Sequence, residues 1–178
     1  MQRMPRHASG FTLIELMTAV LILGILGAIA VPSFRTYSIS TRIGTTAGDL
    51  VTAMNYARSE AIKRSSRVEI CASDDQTDCS GSDAWGNGWI VFNDANGDGS
   101  ADADELLRVW EPVQGGVRVT ANVDSAVYTG MGMAVLPGGA ANASFLTTHD
   151  NCRGGNARSS TLSLAGTLQT QKTTVDCP

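Results

Sequence analysis

One acidic residue, Glu15, lies inside an otherwise uncharged apolar run from Phe11 to Val31. A carboxylate in hydrocarbon costs about 2.5 to 3.5 kcal/mol even on lenient insertion scales, so an acid in such a run indicates a function. A cut between Gly10 and Phe11 would create a new α-amino group four residues before Glu15. The amine of a neighbouring copy can neutralise this carboxylate, which predicts that Glu15 docks one subunit on another.

A second set of oxygen-bearing side chains has the spacing of an EF-hand loop, with Gly99 at the sixth position. Calcium needs six or more hard oxygens, and this spacing can wrap them around one ion. Two features favour an ordinary exposed turn instead: the loop joins two predicted strands, and Ala101 replaces the usual larger apolar residue. Both interpretations stay open, and no other cofactor is predicted. The candidate calcium ligands are Asp94, Asn96, Asp98, Ser100, Asp102 and Glu105.

Four cysteines follow the apolar run. An even number on the far side of a membrane is typical of disulfides in an oxidising compartment. Of the three possible connectivities we favour Cys71–Cys79 with Cys152–Cys177, because each pair closes a local loop. Zinc is the alternative, but no pair has the C-x₂-C spacing and the chain after Gly10 keeps one histidine, His149. We expect His149 to be a solvated loop residue.

No nucleophile, base and orienting group can be assembled from this sequence, and the glycine-rich stretch 130–139 lacks a lysine for phosphate. An enzyme is therefore not predicted. Charged residues make up 17% of the chain, and the sequence pI near 5.0 argues against a whole-chain polyanion binder.

The N-terminal residues predict a single membrane crossing. Residues 1–10 form a polar leader with Arg3 and Arg6, and residues 11–31 are long enough to span a bilayer as a helix. Because the arginines precede the apolar run, we expect the N-terminus in the cytoplasm and the rest of the chain on the other side of the membrane. A cleaved secretory signal has a shorter apolar core.

Residues 32–66 predict an amphipathic continuation of the helix, with Pro32 as a kink. Its apolar residues recur every three or four positions, as expected of one buried face. Residues 35–67 carry six basic and two acidic residues, which indicates a solvated face or contacts with headgroups or neighbouring subunits. The apolar stripe comprises Ile39, Ile43, Ala47, Leu50, Met54, Ala57 and Ala61.

Residues 67–178 predict a β-rich head made of short alternating runs bounded by Gly, Asn, Asp and Ser. The fold class is therefore α+β, with a long N-terminal helix, transmembrane in its first half, packed against an antiparallel sheet. The predicted strands are 67–72, 88–93, 105–111, 117–120, 144–148, 159–164 and 167–170.

The segment Gly10-Phe11-Thr12-Leu13-Ile14-Glu15 closely resembles the type IV prepilin signature. This resemblance implies cleavage after Gly10 by a prepilin peptidase and N-methylation of Phe11. It also implies use of Glu15 in docking subunits, and an apolar helix at the centre of a filament built on an inner-membrane assembly platform. The resemblance further implies that the chain is first held in the inner membrane of a bacterium, with its head in the periplasm, and that the pilin-like filament then reaches the cell exterior.

Residues 55–62, 68–71 and 88–92 resemble the GspH/FimT group of minor pilins and pseudopilins. Some FimT-type pilins look like DNA receptors with a basic Gly-Arg-x-Arg element, but the corresponding turn here reads Gly166-Thr167-Leu168-Gln169. From residue 68 onward, five basic residues stand against fourteen acidic ones. DNA binding is therefore disfavoured. Its candidate residues are Arg153, Arg158 and Lys172.

Three functions are consistent with these residues. We favour a minor type IV pilin that takes part in pilus assembly or initiation, and so in twitching motility or adhesion. A type II secretion pseudopilin of the GspH type is the alternative, and a DNA-uptake pilin for natural transformation is the third. The expected partners are other pilins or pseudopilins.

Overall fold

A single long helix, α1 (Leu13–Arg64), opens the part of the chain that the computed structural model describes, residues 11–150 and 157–175. Its start is fixed by a capping box. The Thr12 backbone N–H donates to Glu15 Oε2 at 2.8 Å, and the Glu15 backbone N–H donates to Thr12 Oγ1 at 3.3 Å. The helix is assigned without interruption through Pro32, so the kink at this residue stays a prediction.

The end of α1 is set by backbone geometry at Ser65. This residue has a positive φ of 52°, and the Ser66 N–H donates to the Ala61 carbonyl at 3.2 Å, which satisfies a carbonyl of the last turn. Gly130 lies against this end of the helix, where a Cβ would come within 2.8 Å of the Ser65 backbone. A side chain at position 130 would therefore push the following chain away from the helix.

The chain divides into two compact units, of which the first ends at Ser38 and the second begins at Ile39. In the first unit, residues 13–38 are helical and their apolar side chains are exposed. The second unit contains the remainder of α1 and nine strands. The strands are β1 (Val68–Ala72), β2 (Trp89–Phe92), β3 (Leu106–Trp110), β4 (Val117–Ala121), β5 (Ser125–Tyr128), β6 (Ala134–Val135), β7 (Asn142–His149), β8 (Ala157–Ser163) and β9 (Leu168–Thr173).

The strands form two antiparallel sheets. One has the order β3-β2-β1-β5-β6 and the other has the order β4-β7-β8-β9. The α+β fold class is confirmed, but β5 and β6 were not predicted, and β8 and β9 are displaced by a few residues from their predicted ranges. Both missed strands are short, and β5 is placed by pairing with β1, more than fifty residues earlier in the chain.

The main core lies between α1 and the two sheets. The predicted apolar stripe is confirmed: except for Ile39, which is half-buried, all its members are buried. Three alanines on this face, at positions 53, 57 and 61, let the sheets approach the helix closely. Trp85 fills the centre, where its Nε1–H donates to the Val123 carbonyl at 2.8 Å and its ring meets Phe145 edge-on at 5.0 Å.

Candidate functional site: the assembly segment and the polar surfaces of the head

Glu15 is held at the start of α1 with its carboxylate accessible. Its Oε2 accepts hydrogen bonds from the Thr12 backbone N–H and from Thr12 Oγ1, at 2.8 and 2.9 Å. Within residues 11–150 and 157–175, no basic side chain forms an ion pair with it. The cap therefore orients the carboxylate, which has no counter-ion among the described residues.

The residues that follow Glu15 expose an unusual amount of apolar surface. Phe11 is 92% exposed, and the large apolar side chains from Leu13 to Val31 are all more than half exposed. By length and composition, α1 contains one segment that can cross a membrane. Monomeric soluble proteins rarely expose so large a patch, which indicates a lipid or protein partner.

The predicted Cys71–Cys79 disulfide is present, with an S–S distance of 2.03 Å. It ties the loop after β1 onto the outer face of the first sheet, where Cys71 packs with Ile90 and Phe92. Cys152 and Cys177 lie outside the described residues, so the second predicted bridge stays a prediction.

The acidic loop between β2 and β3 is held by contacts within the protein. Asp94 is completely buried, and its Oδ2 lies 3.2 Å from Arg67 Nη2. The Asn96 and Asp98 side chains accept bonds from backbone N–H groups two residues ahead, at 3.0 and 2.8 Å, as in Asx turns. Ser100, Asp102 and Glu105 complete the candidate set.

Among the described residues, no group of three or more His, Cys, Asp or Glu side chains is placed to hold a metal. The Arg67–Asp94 ion pair occupies the first candidate calcium ligand, and the Asx turns match the alternative interpretation of an ordinary turn. The calcium site therefore stays a prediction without geometric support from these residues.

A buried carboxylate, Glu69, is the second residue of β1, lies on the same face as Cys71 and is only 7% exposed. Burial raises its pKa above the ordinary value, while a hydrogen bond with the Ser125 side chain acts in the opposite direction and nearby Asp94 adds to the rise. The folded state therefore binds a proton at Glu69 more tightly than the unfolded chain does.

We expect Glu69→Gln to change how stability depends on pH. Because the folded pKa is raised, the carboxyl favours folding fully below its ordinary value of 4.5, and this contribution is lost as the pH rises through the folded pKa. Glu69→Gln should flatten the fall in unfolding free energy over that range, as measured by denaturant titration at several pH values. The exposed Glu111→Gln is the matched control, and identical slopes for wild type and Glu69→Gln would contradict the assignment.

Two of the three predicted DNA-binding residues lie side by side. Arg158 on β8 is directly opposite Lys172 on β9 in the antiparallel register, whereas Arg153 lies outside the described residues. The turn at Gly166, which lacks the arginines of the Gly-Arg-x-Arg element, leads into β9. The pair forms a small positive spot on a head whose overall charge is negative.

Comparison with protein-family models identifies the family of this chain. The model described as type II transport protein GspH matches residues 46–167, which is more than half of the chain. The chain belongs to the GspH family. A second model, the prokaryotic N-terminal methylation motif, matches residues 5–31 and covers the segment that resembles a prepilin signature.

Individual relatives of this GspH-family chain come from pili. Two fimbrial proteins of Pseudomonas aeruginosa are each 41% identical over 68 residues, a stretch that covers 38% of this chain and 44% of the relative. The match thus spans less than half the length of these relatives.

Two crystal forms of the type IV minor pilin FimU of Pseudomonas aeruginosa share the fold. The first has a TM-score of 0.61 at 24% identity and covers 78% of this chain and 96% of FimU. The second has a TM-score of 0.54 at 22% identity and covers 76% and 99%. The likeness establishes a pilin fold for the GspH-family chain.

Sequence reasoning misjudged one side chain and overlooked another in this GspH-family head. His149 is not a solvated loop residue: it ends β7 opposite Val117 and is only 8% exposed. Glu69 was overlooked because a single acid in an apolar strand resembles ordinary alternation between polar and apolar residues. Its burial depends on how the folded chain packs around β1, and the local sequence pattern does not show this.

Proposed function

We propose that the chain is a minor type IV pilin, a structural subunit rather than an enzyme. The observation that carries this proposal is an exposed apolar helix with one capped carboxylate, Glu15, which no described basic side chain pairs with and which follows a prepilin-type cleavage position. The similarity to fimbrial proteins and the FimU-like fold support a role as a pilus subunit.

The chain is processed before assembly. A prepilin peptidase removes residues 1–10 by cutting between Gly10 and Phe11, and the new N-terminus at Phe11 is methylated. Residues 11–31 then hold the subunit in the inner membrane, with residues 32–66 continuing the helix and residues 67–178 forming the head. In this orientation the removed leader lies in the cytoplasm and the head lies in the periplasm.

Assembly exchanges lipid for protein around the apolar helix. The methylated amine of one subunit approaches Glu15 of its neighbour, which provides the missing counter-ion in a site from which water is excluded. The exposed apolar side chains pack against those of other pilins, so the filament leaves the membrane and reaches the cell exterior. The subunit therefore functions by packing against other subunits, and the assembly platform drives this step.

A type II secretion pseudopilin is the second candidate, because the matching family model is described as a type II transport protein. The processed helix and Glu15 would act in the same way in a pseudopilus. DNA uptake is not favoured, since the head beyond residue 67 carries fourteen acidic and five basic residues and duplex DNA is repelled by such a charge.

One deletion strain separates these functions. We expect loss of the gene to reduce piliation and twitching while exoprotein secretion and transformation continue. Loss of secretion alone would assign the chain to a pseudopilus, and loss of transformation alone would assign it to DNA uptake. Complementation with the intact gene controls for effects on neighbouring genes.

The intact mass of the chain purified from membranes tests the processing step. We expect a mass that lacks residues 1–10, gains one methyl group and loses two hydrogens for each disulfide. The same chain from a strain without prepilin peptidase should keep its leader and lack the methyl group. An uncut chain in the wild-type strain contradicts the processing proposal.

A further inference from the structure

Three basic side chains are linked by position around the start of α1 in the second unit. Arg42 lies against Gly115, where a Cβ would overlap its guanidinium, and Arg158 Nη2 lies 3.8 Å from the position that a Cβ would take at Gly44. Lys172 is directly opposite Arg158 across β8 and β9. We refer to Arg42, Arg158 and Lys172 as the basic rim.

The basic rim has no internal counter-ion among the described residues, where none of its members lies within 4.0 Å of a carboxylate. Among the described residues, Asp150 pairs with Arg118 on the other face of the sheet, and Asp49 is exposed on α1. Arg42 and Lys172 are exposed, and Arg158 is half-buried. Unpaired, accessible cations gathered at one end of an acidic head favour an anionic partner.

The sequence of α1 limits how far the rim can lie from a membrane. Phe34 and Tyr37 follow the apolar run and are both strongly exposed, as is typical of aromatic side chains at a membrane–water interface. Arg42 comes five residues after Tyr37, which is about 8 Å of helix. This rise is within the Debye length of about 10 Å at 0.1 M salt, so the charge of Arg42 can interact with headgroups at the level of Tyr37.

We propose that the basic rim binds anionic phospholipid headgroups while the chain is held in a membrane. This inference rests on the proposed function only for residence in the membrane. The apolar helix keeps the rim close to one lipid surface, which gives the contact a high effective concentration. Duplex DNA has no such tether and also meets the net negative charge of the head, so the lipid surface is the favoured partner. Extraction into a filament then has to break this contact.

The chain has two lysines, Lys63 and Lys172. Lys63, outside the rim, can therefore serve as an internal reference for the reactivity of Lys172. Lys63 is on α1 far along the chain from the rim and its side chain is 73% exposed. The processed full-length chain is reconstituted in vesicles of phosphatidylcholine, with or without phosphatidylglycerol. The rates at which an amine-reactive reagent modifies the two lysines are then compared by mass spectrometry.

We expect phosphatidylglycerol to slow modification of Lys172 relative to Lys63 at least fivefold, and high salt to remove this protection. Each cation near an anionic surface contributes about 1 kcal/mol to binding. The variant R42Q/R158Q removes two of them and should therefore lower the ratio of lipid-bound to unbound protein at the rim about 30-fold. The matched variant R64Q/R108Q removes two exposed arginines that lie outside the rim and do not pair with the acids near it, so it should keep the protection. Equal rates in both vesicle types, or equal loss in the two variants, overturn the proposal.

Two further arms identify the source of any failure. Flotation of the vesicles at high salt reports only insertion of the apolar helix. A chain that does not float with the vesicles refutes membrane residence. A chain that floats but shows no protection of Lys172 refutes lipid binding by the basic rim and leaves the membrane anchor intact. A short DNA duplex replaces the vesicles in the second arm. If R42Q/R158Q weakens DNA binding but leaves the lipid protection unchanged, the rim is a DNA surface and the proposal is wrong.

Discussion

Replacement of Glu15 with valine is expected to lower the amount of the chain in sheared filaments at least tenfold, while its amount in the membrane stays the same. The substitution makes the apolar run continuous, so insertion is not impaired. In the filament, however, the neighbouring amine loses its counter-ion, and removing one partner of a buried ion pair costs about 3 to 5 kcal/mol. Each 1.4 kcal/mol corresponds to about tenfold in the assembly equilibrium.

Thr12→Val separates the charge of Glu15 from its capping role. This variant removes the hydroxyl that bonds to Glu15 Oε2 at 2.9 Å but keeps the carboxylate. If the charge is what matters, Thr12→Val should assemble far better than Glu15→Val, and the neighbouring Leu16→Val should assemble normally. Normal filament levels of Glu15→Val would refute the proposed pairing, whereas equal defects in Thr12→Val and Glu15→Val would assign the effect to the helix start.

Trp85→Ala should be among the most destabilising substitutions in the head, with a loss of about 3 to 5 kcal/mol in the free energy of unfolding. Trp85 is fully buried, and its removal leaves a cavity beside Phe145 and an unpaired Val123 carbonyl. Denaturant unfolding of the purified full-length chain in detergent, followed by near-UV circular dichroism, measures the loss.

Two companion variants show which part of the Trp85 side chain matters. Trp85→Phe keeps most of the ring but removes the donor to Val123, so we expect an intermediate loss of about 1 to 3 kcal/mol. Met131→Ala, at a side chain that is 79% exposed, should change stability by less than about 0.5 kcal/mol. A Trp85→Ala chain as stable as Met131→Ala would contradict the position of Trp85 at the centre of the core.

Local chemistry explains the features that the sequence predicts well. The buried face of α1 follows from apolar residues at helical spacing. The Cys71–Cys79 bridge joins two cysteines with a sequence separation of 8. Such short-range patterns can be interpreted without knowing how the rest of the chain folds.

Long-range pairing explains what the sequence did not predict. Strand β5 exists because it pairs with β1, and β6 has only two residues and pairs with β5. His149 resembles a loop residue in the sequence, but pairing of β7 with β4 places it in a buried position. The basic rim likewise combines one helical residue with two strand residues that come more than a hundred positions later in the chain.

Peptide analysis of purified filaments tests the central claim most directly. Because no lysine or arginine lies between Phe11 and Arg35, trypsin should release the mature N-terminus as one peptide, residues 11–35. The account predicts this peptide with a methylated amine on Phe11 in the filament fraction, in smaller amounts than that of the main subunit. A chain that is missing from filaments and recovered in soluble form with residues 1–10 still attached would contradict it.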